Sequence, residues 1–289
     1  MDCAEAANTI ITNSSLLMHI PSPDDSSVEL YTDDLSIGYM QRPQPLVVQE
    51  HLHLELHKGE MVCLIGPNGC GKSTLLHTLA GLQKPLSGNV ILHQRDLYAY
   101  SMQEKATLLS LTLTDRVEVD KMSVFELVSM GRYPYTNRFG KFSSIDISAI
   151  EEAISQVHLT EKSRWSLDTL SDGERQRAMI AKVLAQATPV LLFDEPTAHL
   201  DLVNRVSTLL LLKTVAKECH VAVLLSTHEL EMAMQLADRL WLMSNDEIAV
   251  GTTEELIAQG GFQRVFHSDL FAFDSQTRRF VIHKDKLPH

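Results

Sequence analysis

Cysteine is scarce and scattered in this chain. Four residues (Cys3, Cys63, Cys70 and Cys219) occur among 289, none in a C-x-x-C spacing, so neither a disulfide framework nor a thiolate zinc site is supported. Free thiols in a reducing cytoplasm are expected. Long apolar runs are missing too: stretches such as Leu209–Leu212 and Val221–Leu225 fall far short of the ~20 residues that cross a bilayer. The N-terminus carries Asp2 and Glu5 and no basic segment, so it lacks the pattern of a secretory signal. Basic charge is also in deficit, with 25 Lys and Arg against 37 Asp and Glu, a net charge of −12. That balance argues against a nucleic-acid binder held by phosphate contacts and against docking on anionic lipid. What is present, 44% hydrophobic and 21% charged residues, is too apolar and too mixed for a disordered or fibrous chain. A chain this long buries an adequate core without staples, as one large domain or two small ones.

Residues 1–27 show no period and end in Pro21-Ser22-Pro23-Asp24-Asp25-Ser26-Ser27, a linker-like stretch, so an extension ahead of the folded domain is expected. Val28 to Tyr39 and Leu46 to Leu56 alternate apolar and polar residues, as half-buried strands do. Met61 to Ile65 is continuously apolar, the mark of a strand covered on both faces. The stretch 101–188 reads as helical: Ser123 and Glu126 form a capping box, and helices are expected over Asp146–Val157 and Gly173–Ala187. Beyond it, strands at Val190–Phe193, Val221–Ser226 and Leu240–Met243 alternate with helices at 203–219 and 229–237, which implies a mostly parallel sheet flanked by helices. Phe271–Asp274 and Arg279–Ile282 suggest a small terminal β element within 261–289, with a packing role.

Directly after the apolar run stands Gly66-Pro67-Asn68-Gly69-Cys70-Gly71-Lys72-Ser73-Thr74, a complete G-x-x-x-x-G-K-[ST]. Its glycines allow backbone N–H groups to turn inward as an anion nest, and the helix that follows adds its positive end. Lys72 can reach the β and γ phosphates and Ser73 can offer a hydroxyl to Mg²⁺. Downstream, Val190–Phe193 runs into Asp194 and Glu195: a carboxylate there can order Mg²⁺ through water, and its neighbour can polarise an attacking water. Leu170-Ser171-Asp172-Gly173-Glu174 opens a helix whose backbone could cap an anion, and Ser226-Thr227-His228 ends the next apolar strand. His228-Glu229 is not a zinc-protease motif, because Met232 stands where the second histidine must be. His51 and His53 share a strand face and are expected on the solvated surface. Cys70 is expected to serve packing, with a thiol open to alkylation.

Together these elements resemble the ATP-binding-cassette (ABC) ATPases over roughly residues 28–260. The resemblance implies an α/β P-loop fold, a RecA-like core with a mixed sheet, and a helical subdomain at about 101–188. It implies ATP and Mg²⁺ as cofactors. In this likeness Glu195, His228 and Lys72 act in catalysis, and Ser73 and Asp194 hold the metal, Asp194 through water. Nucleotide contacts fall to Gly66–Thr74, to Tyr39 stacking on adenine, and to Ser171, Gly173 and Glu174 of the signature. Ala198-His199-Leu200-Asp201 is similar to the D-loop. Two positions depart from the family: Asp172 replaces the first signature glycine, and Thr114 stands where the Q-loop glutamine is usual. Gln103 lies too early to take that place.

A single set of motifs implies a homodimer with two composite sites. The segments Ser123–Val128 and Gly131-Arg132-Tyr133-Pro134-Tyr135 resemble the ATPases of bacterial iron-siderophore, haem and cobalamin importers. That likeness implies a separate integral membrane permease docking near Tyr133 and Tyr135, and indirectly a periplasmic or lipid-anchored substrate-binding protein. No nucleic-acid partner is implied. The expected place is peripheral, on the cytoplasmic side of the bacterial inner membrane. An exporter ATPase and a soluble, non-transport ABC ATPase are the alternatives.

Overall fold

Apolar runs of four or five residues, too short for helices, are satisfied as strands covered on both faces. The computed structural model describes residues 27–41, 43–113, 121–136, 140–266 and 270–283, and it places Met61–Ile65, Val190–Phe193 and Ala222–Ser226 in this way, whereas the run Leu209–Leu212 lies within a longer helix. Its strands are Val28–Tyr39 (β1), Leu46–Leu52 (β2), Glu55–His57 (β3), Met61–Ile65 (β4), Ser87–Leu92 (β5), Arg95–Asp96 (β6), Leu109–Thr112 (β7), Val190–Phe193 (β8), Ala222–Ser226 (β9), Arg239–Met243 (β10), Ile248–Gly251 (β11), Phe271–Asp274 (β12) and Arg279–Ile282 (β13). Its α-helices are Lys72–Leu79 (α1), Met102–Leu108 (α2), Val124–Ser129 (α3), Ser144–Gln156 (α4), Asp172–Gln186 (α5), Leu202–Glu218 (α6), Leu230–Leu236 (α7), Thr253–Ala258 (α8) and Gly261–Val265 (α9).

A six-stranded sheet runs β11-β10-β4-β9-β8-β7, parallel from β10 to β7 with β11 antiparallel at the edge. Alternate residues of its buried strands feed two cores. Met61, Cys63, Ile65, Leu191, Phe193, Val223 and Leu225 pack with Val124, Leu127, Ile150, Ala178, Ile180 and Leu209 of the helices. Val62, Leu64, Val190, Leu192, Leu224 and Trp241 pack on the other face with α1 and an antiparallel sheet, β2-β1-β5-β6, to which β3 also pairs through β1. The β12–β13 hairpin rests on α9 through rings: Phe262 and Phe273 stack at 4.5 Å, and Phe280 meets Phe266, Phe271 and Phe273 edge-on.

Two expectations from the sequence need correction. The stretch 101–188 is not helical throughout, because Leu109–Thr112 is a strand of the main sheet, paired in parallel with Val190–Phe193. Four residues are too few to show a period, and the capped helix α2 just ahead of them masks the change. Leu46–Leu56 is two strands, not one. His51 adopts φ 55° and pairs with Asp34 where the register of β2 on β1 shifts between Gln49 and Leu52, so Glu50 and His51 are exposed in succession; from there burial alternates again, and His51 and His53 are both exposed as expected. Of the expected extension 1–27 only Ser27 lies among the described residues, and Thr114 lies outside them.

Capping boxes start α2, α3, α4, α5 and α8, each by a Ser or Thr side chain that accepts an N–H while an acidic residue three positions on returns the bond. The box of α4 does more. Asp146 accepts from the N–H and hydroxyl of Ser143 and, through its other oxygen, from Arg132 Nε at 2.9 Å. Arg132 also donates to Ala185 O at the end of α5, and its guanidinium lies 3.9 Å from the centre of the Tyr135 ring. This buried knot ties the 3-10 turn Met130–Tyr135 to two helices. Burial pushes the Asp146 carboxyl up, but the bonds from Ser143 and Arg132 outweigh it and hold the group below the ordinary aspartate value. A carboxyl depressed on folding stabilises above its unfolded value, and that contribution fades as pH falls through the lowered one. Removing one partner strands the other charge, so Asp146→Ala should lower unfolding stability by about 3–5 kcal/mol, measured by urea denaturation at neutral pH.

Candidate functional site

Parallel pairing fixes which chain segments meet. Leu64 of β4 is in register with Ser226 of β9, and Leu225 of β9 with Phe193 of β8, so these strands end side by side. The pairing continues past the ends, with Thr227 N–H donating to Leu64 O and Asp194 N–H to Thr112 O. The loop 66–71, the Asp194-Glu195 pair and the segment 226–228 therefore emerge at one edge, where open α/β sheets place their ligands.

The loop needs its glycines for geometry. Gly69 and Gly71 hold φ of 81° and 106°, and a Cβ on Gly66 would sit 2.1 Å from Met243 O, on Gly71 2.2 Å from Val48 Cγ1. Pro67, Asn68 and Gly69 are exposed, whereas Cys70 is buried. Gly71 forms the start of α1 with no side chain capping it. Lys72, only 7% exposed, folds back over the loop and donates to Gly66 O at 2.9 Å and Pro67 O at 3.1 Å. Ser73 is exposed on the first turn. Thr74 is buried and shares a 2.8 Å hydrogen bond with the Tyr39 hydroxyl, which brings that half-exposed ring to the helix start. The Cys70 thiol, expected to be open to alkylation, is instead buried, and burial pushes its pKa up, which fits the packing role.

Across the strand ends, buried Asp194 accepts a 2.6 Å hydrogen bond from the Ser226 hydroxyl. Glu195 follows in the left-handed region at φ 49°, its N–H donating to the same Ser226 oxygen at 2.9 Å. Its carboxylate reaches His228 Nε2 at 2.6 Å, and since a carboxylate only accepts, the proton of that bond belongs to the ring. One carboxylate is thus held at the strand end and the next is aimed outward, beside a histidine. The part that Ser226 plays leaves no mark in the sequence beyond a hydroxyl closing an apolar strand.

The signature residues sit on α5. Ser171 caps the helix by accepting from Glu174 N–H, and Glu174 returns a bond to Ser171 N–H. Glu174 also receives Lys162 Nζ at 2.6 Å, which with the capping bonds draws its pKa down. These bonds run to one another and to Lys162 rather than to the phosphate loop, so the Glu174 carboxylate is engaged as a cap. Gly173 is where Asn204 of α6 approaches, since a Cβ there would lie 2.3 Å from Asn204 Oδ1. Ser171 and Asp172 are exposed. A cavity lined by Asp172, Arg175, Asp194, Glu195 and His199 separates α5 from the carboxylates. Among the described residues no group of three or more His, Cys, Asp or Glu converges as a metal cage.

The sequence profile of the ABC transporter family matches residues 49–198. An uncharacterised ABC transporter ATP-binding protein of Methanocaldococcus jannaschii is 39% identical over 79% of this chain and 78% of its own length. The ferric enterobactin transport ATP-binding protein of Escherichia coli is 35% identical, over 84% of this chain and 88% of its own. Among solved structures, an ABC transporter in an inward-facing conformation superposes with a TM-score of 0.72 at 27% identity, covering 89% of this chain and 96% of that one. The chain belongs to the ABC transporter family, as an ATP-binding cassette that hydrolyses ATP.

Proposed function

We propose that the chain energises import of an iron chelate (siderophore), haem or cobalamin through a separate integral membrane permease, with Lys72, Glu195 and His228 as the residues that carry hydrolysis. The observation that carries the catalytic reading is the Glu195 carboxylate held 2.6 Å from His228 at the strand end beside the phosphate loop. The cargo rests on likeness to the enterobactin cassette.

The loop suits a triphosphate. Gly66 and Gly71 leave no room for a side chain and Gly69 and Gly71 hold positive φ, so backbone N–H groups can turn toward phosphate oxygens, and Lys72 can exchange its two loop carbonyls for phosphate. The donor set of one carboxylate and one exposed hydroxyl, Asp194 and Ser73, fits Mg²⁺, which keeps several waters and bonds phosphate oxygens. When bound, Mg²⁺ supplies positive charge against the phosphates. Glu195 accepts the proton of the attacking water as its oxygen bonds to the γ-phosphorus and the bond to the β,γ-bridging oxygen breaks. His228 holds that carboxylate in line. Tyr39 offers its ring to adenine.

Ser171 and Asp172 are exposed at the start of α5, and the bonds of Ser171 run to Glu174, which leaves that helix start open to a second copy. We infer a homodimer with two composite sites, supported by that exposure and by the single set of motifs. The cassette is taken as residues 28–260, with the β12–β13 hairpin beyond it. Among the described residues no helix is long and apolar enough to cross a membrane. The permease contact is assigned to the turn Met130–Tyr135, where Met130 and Tyr133 are exposed on the foundation that Arg132 and Asp146 make rigid. A substrate-binding protein would meet the permease, on the far side of the membrane.

Glu195→Gln should bind ATP with near wild-type affinity yet hydrolyse it about 10²–10⁴-fold more slowly, by phosphate release under saturating ATP. Undiminished turnover would remove Glu195 from the chemistry. Tyr133→Ala should keep basal hydrolysis and lose transport. Both are checked by uptake of labelled ferric siderophore, haem and cobalamin into cells lacking the chain and complemented with each variant. Uptake restored by wild type alone establishes the cargo; no defect for any of the three discards import of these chelates and leaves the ATPase standing.

A further inference from the structure

We propose that Ser226 is the positioning residue of the hydrolytic site, setting Asp194 and Glu195 together; this rests on the metal and catalytic roles given above. Its side chain is fully buried and its single oxygen serves both residues. The hydroxyl proton goes to Asp194 Oδ1 at 2.6 Å, and a lone pair takes the Glu195 N–H at 2.9 Å. Because one oxygen makes both bonds, the two carboxylate-bearing residues are tied to a single point of β9.

Glu195 needs such an anchor. Its φ of 49° is costly for a residue with a Cβ and persists only where the surroundings hold it. The bond from Ser226 holds the N–H side of that residue, and the turn bond from Ala198 N–H to Glu195 O holds the other. Two residues on, His228 takes the Glu195 carboxylate, so one tripeptide grips backbone and side chain alike. Ser226 is itself located by register: it pairs with Leu64, and the following N–H, that of Thr227, donates to Leu64 O, two residues before the loop glycine Gly66. The position of the metal carboxylate is thereby referred to the strand that carries the phosphate loop.

Alanine at 226 removes the donor to Asp194 and the acceptor for Glu195 N–H, whereas threonine keeps both. A mere stitch between β8 and β9 would change stability alone; a positioning role changes the metal-dependent step. The test compares the full chain with Ser226→Ala and Ser226→Thr by equilibrium binding of trinitrophenyl-ATP in EDTA, by titration of Mg²⁺ into that complex, and by ATPase kinetics. Ser226→Ala should bind the nucleotide in EDTA as wild type does. It should need about tenfold more Mg²⁺ for the half-maximal response and lose about tenfold in kcat with little change in KM, the loss expected when a charged acceptor gives up one hydrogen bond. Ser226→Thr should restore the wild-type titration. A Ser226→Ala titration that coincides with wild type, or an equal loss of affinity with and without Mg²⁺, overturns the positioning role. Absence of any Mg²⁺ response in wild type itself overturns the metal reading on which it rests.

Discussion

Everything at this site depends on the parallel register of β4, β9 and β8. Parallel strands cannot be joined by tight turns, so each must be followed by a long excursion before the chain returns to the sheet. Those excursions begin at one edge and bring to it residues as distant as Gly66, Asp194 and Ser226. The register is unforgiving, because a slip by one residue would exchange the two cores, sending Cys63 and Leu225 to the face now held by Leu64 and Leu224. The same apolar alternation that makes the fold stable therefore decides which polar residues meet.

On this frame the polar groups are organised as caps and ties. Ser171 and Glu174 satisfy the first turn of α5 with each other, which leaves the start of that helix rigid and exposed. Arg132 and Asp146 use the same device at α4, with the guanidinium added, to brace the turn that carries Tyr133. In both places a local helix-start rule does the structural work and leaves an exposed neighbour, Asp172 in one case and Tyr133 in the other.

Local features were legible in the sequence and long-range ones were not. The loop 66–74, the buried strands and the Ser123–Glu126 box each follow from spacing within a few residues, and the structure has them where spacing puts them. The strand Leu109–Thr112 was hidden, since its identity comes from pairing with Val190–Phe193 and not from any period of its own. The break at His51 was hidden for a different reason: a positive φ at a residue other than glycine leaves no mark in composition. The S-x-x-E pattern at 171–174 is likewise a local signal, and the structure forms a capping box there.

Ser226 joins these observations. Its partners lie more than thirty residues away in sequence, and only the order of strands, with β9 between β4 and β8, brings them within reach. A carboxylate that is to meet a metal cannot be fixed by charge alone, because a buried charge with no bonded partner would rather neutralise or turn aside. A neutral hydroxyl solves this without adding a competing cation, and a serine offers both a proton and a lone pair from one atom. Placed on the middle strand it serves the strand on one side while its backbone neighbour pairs with the strand on the other. The geometry therefore makes the middle strand, which bears neither the loop 66–71 nor Asp194, the element that relates the two.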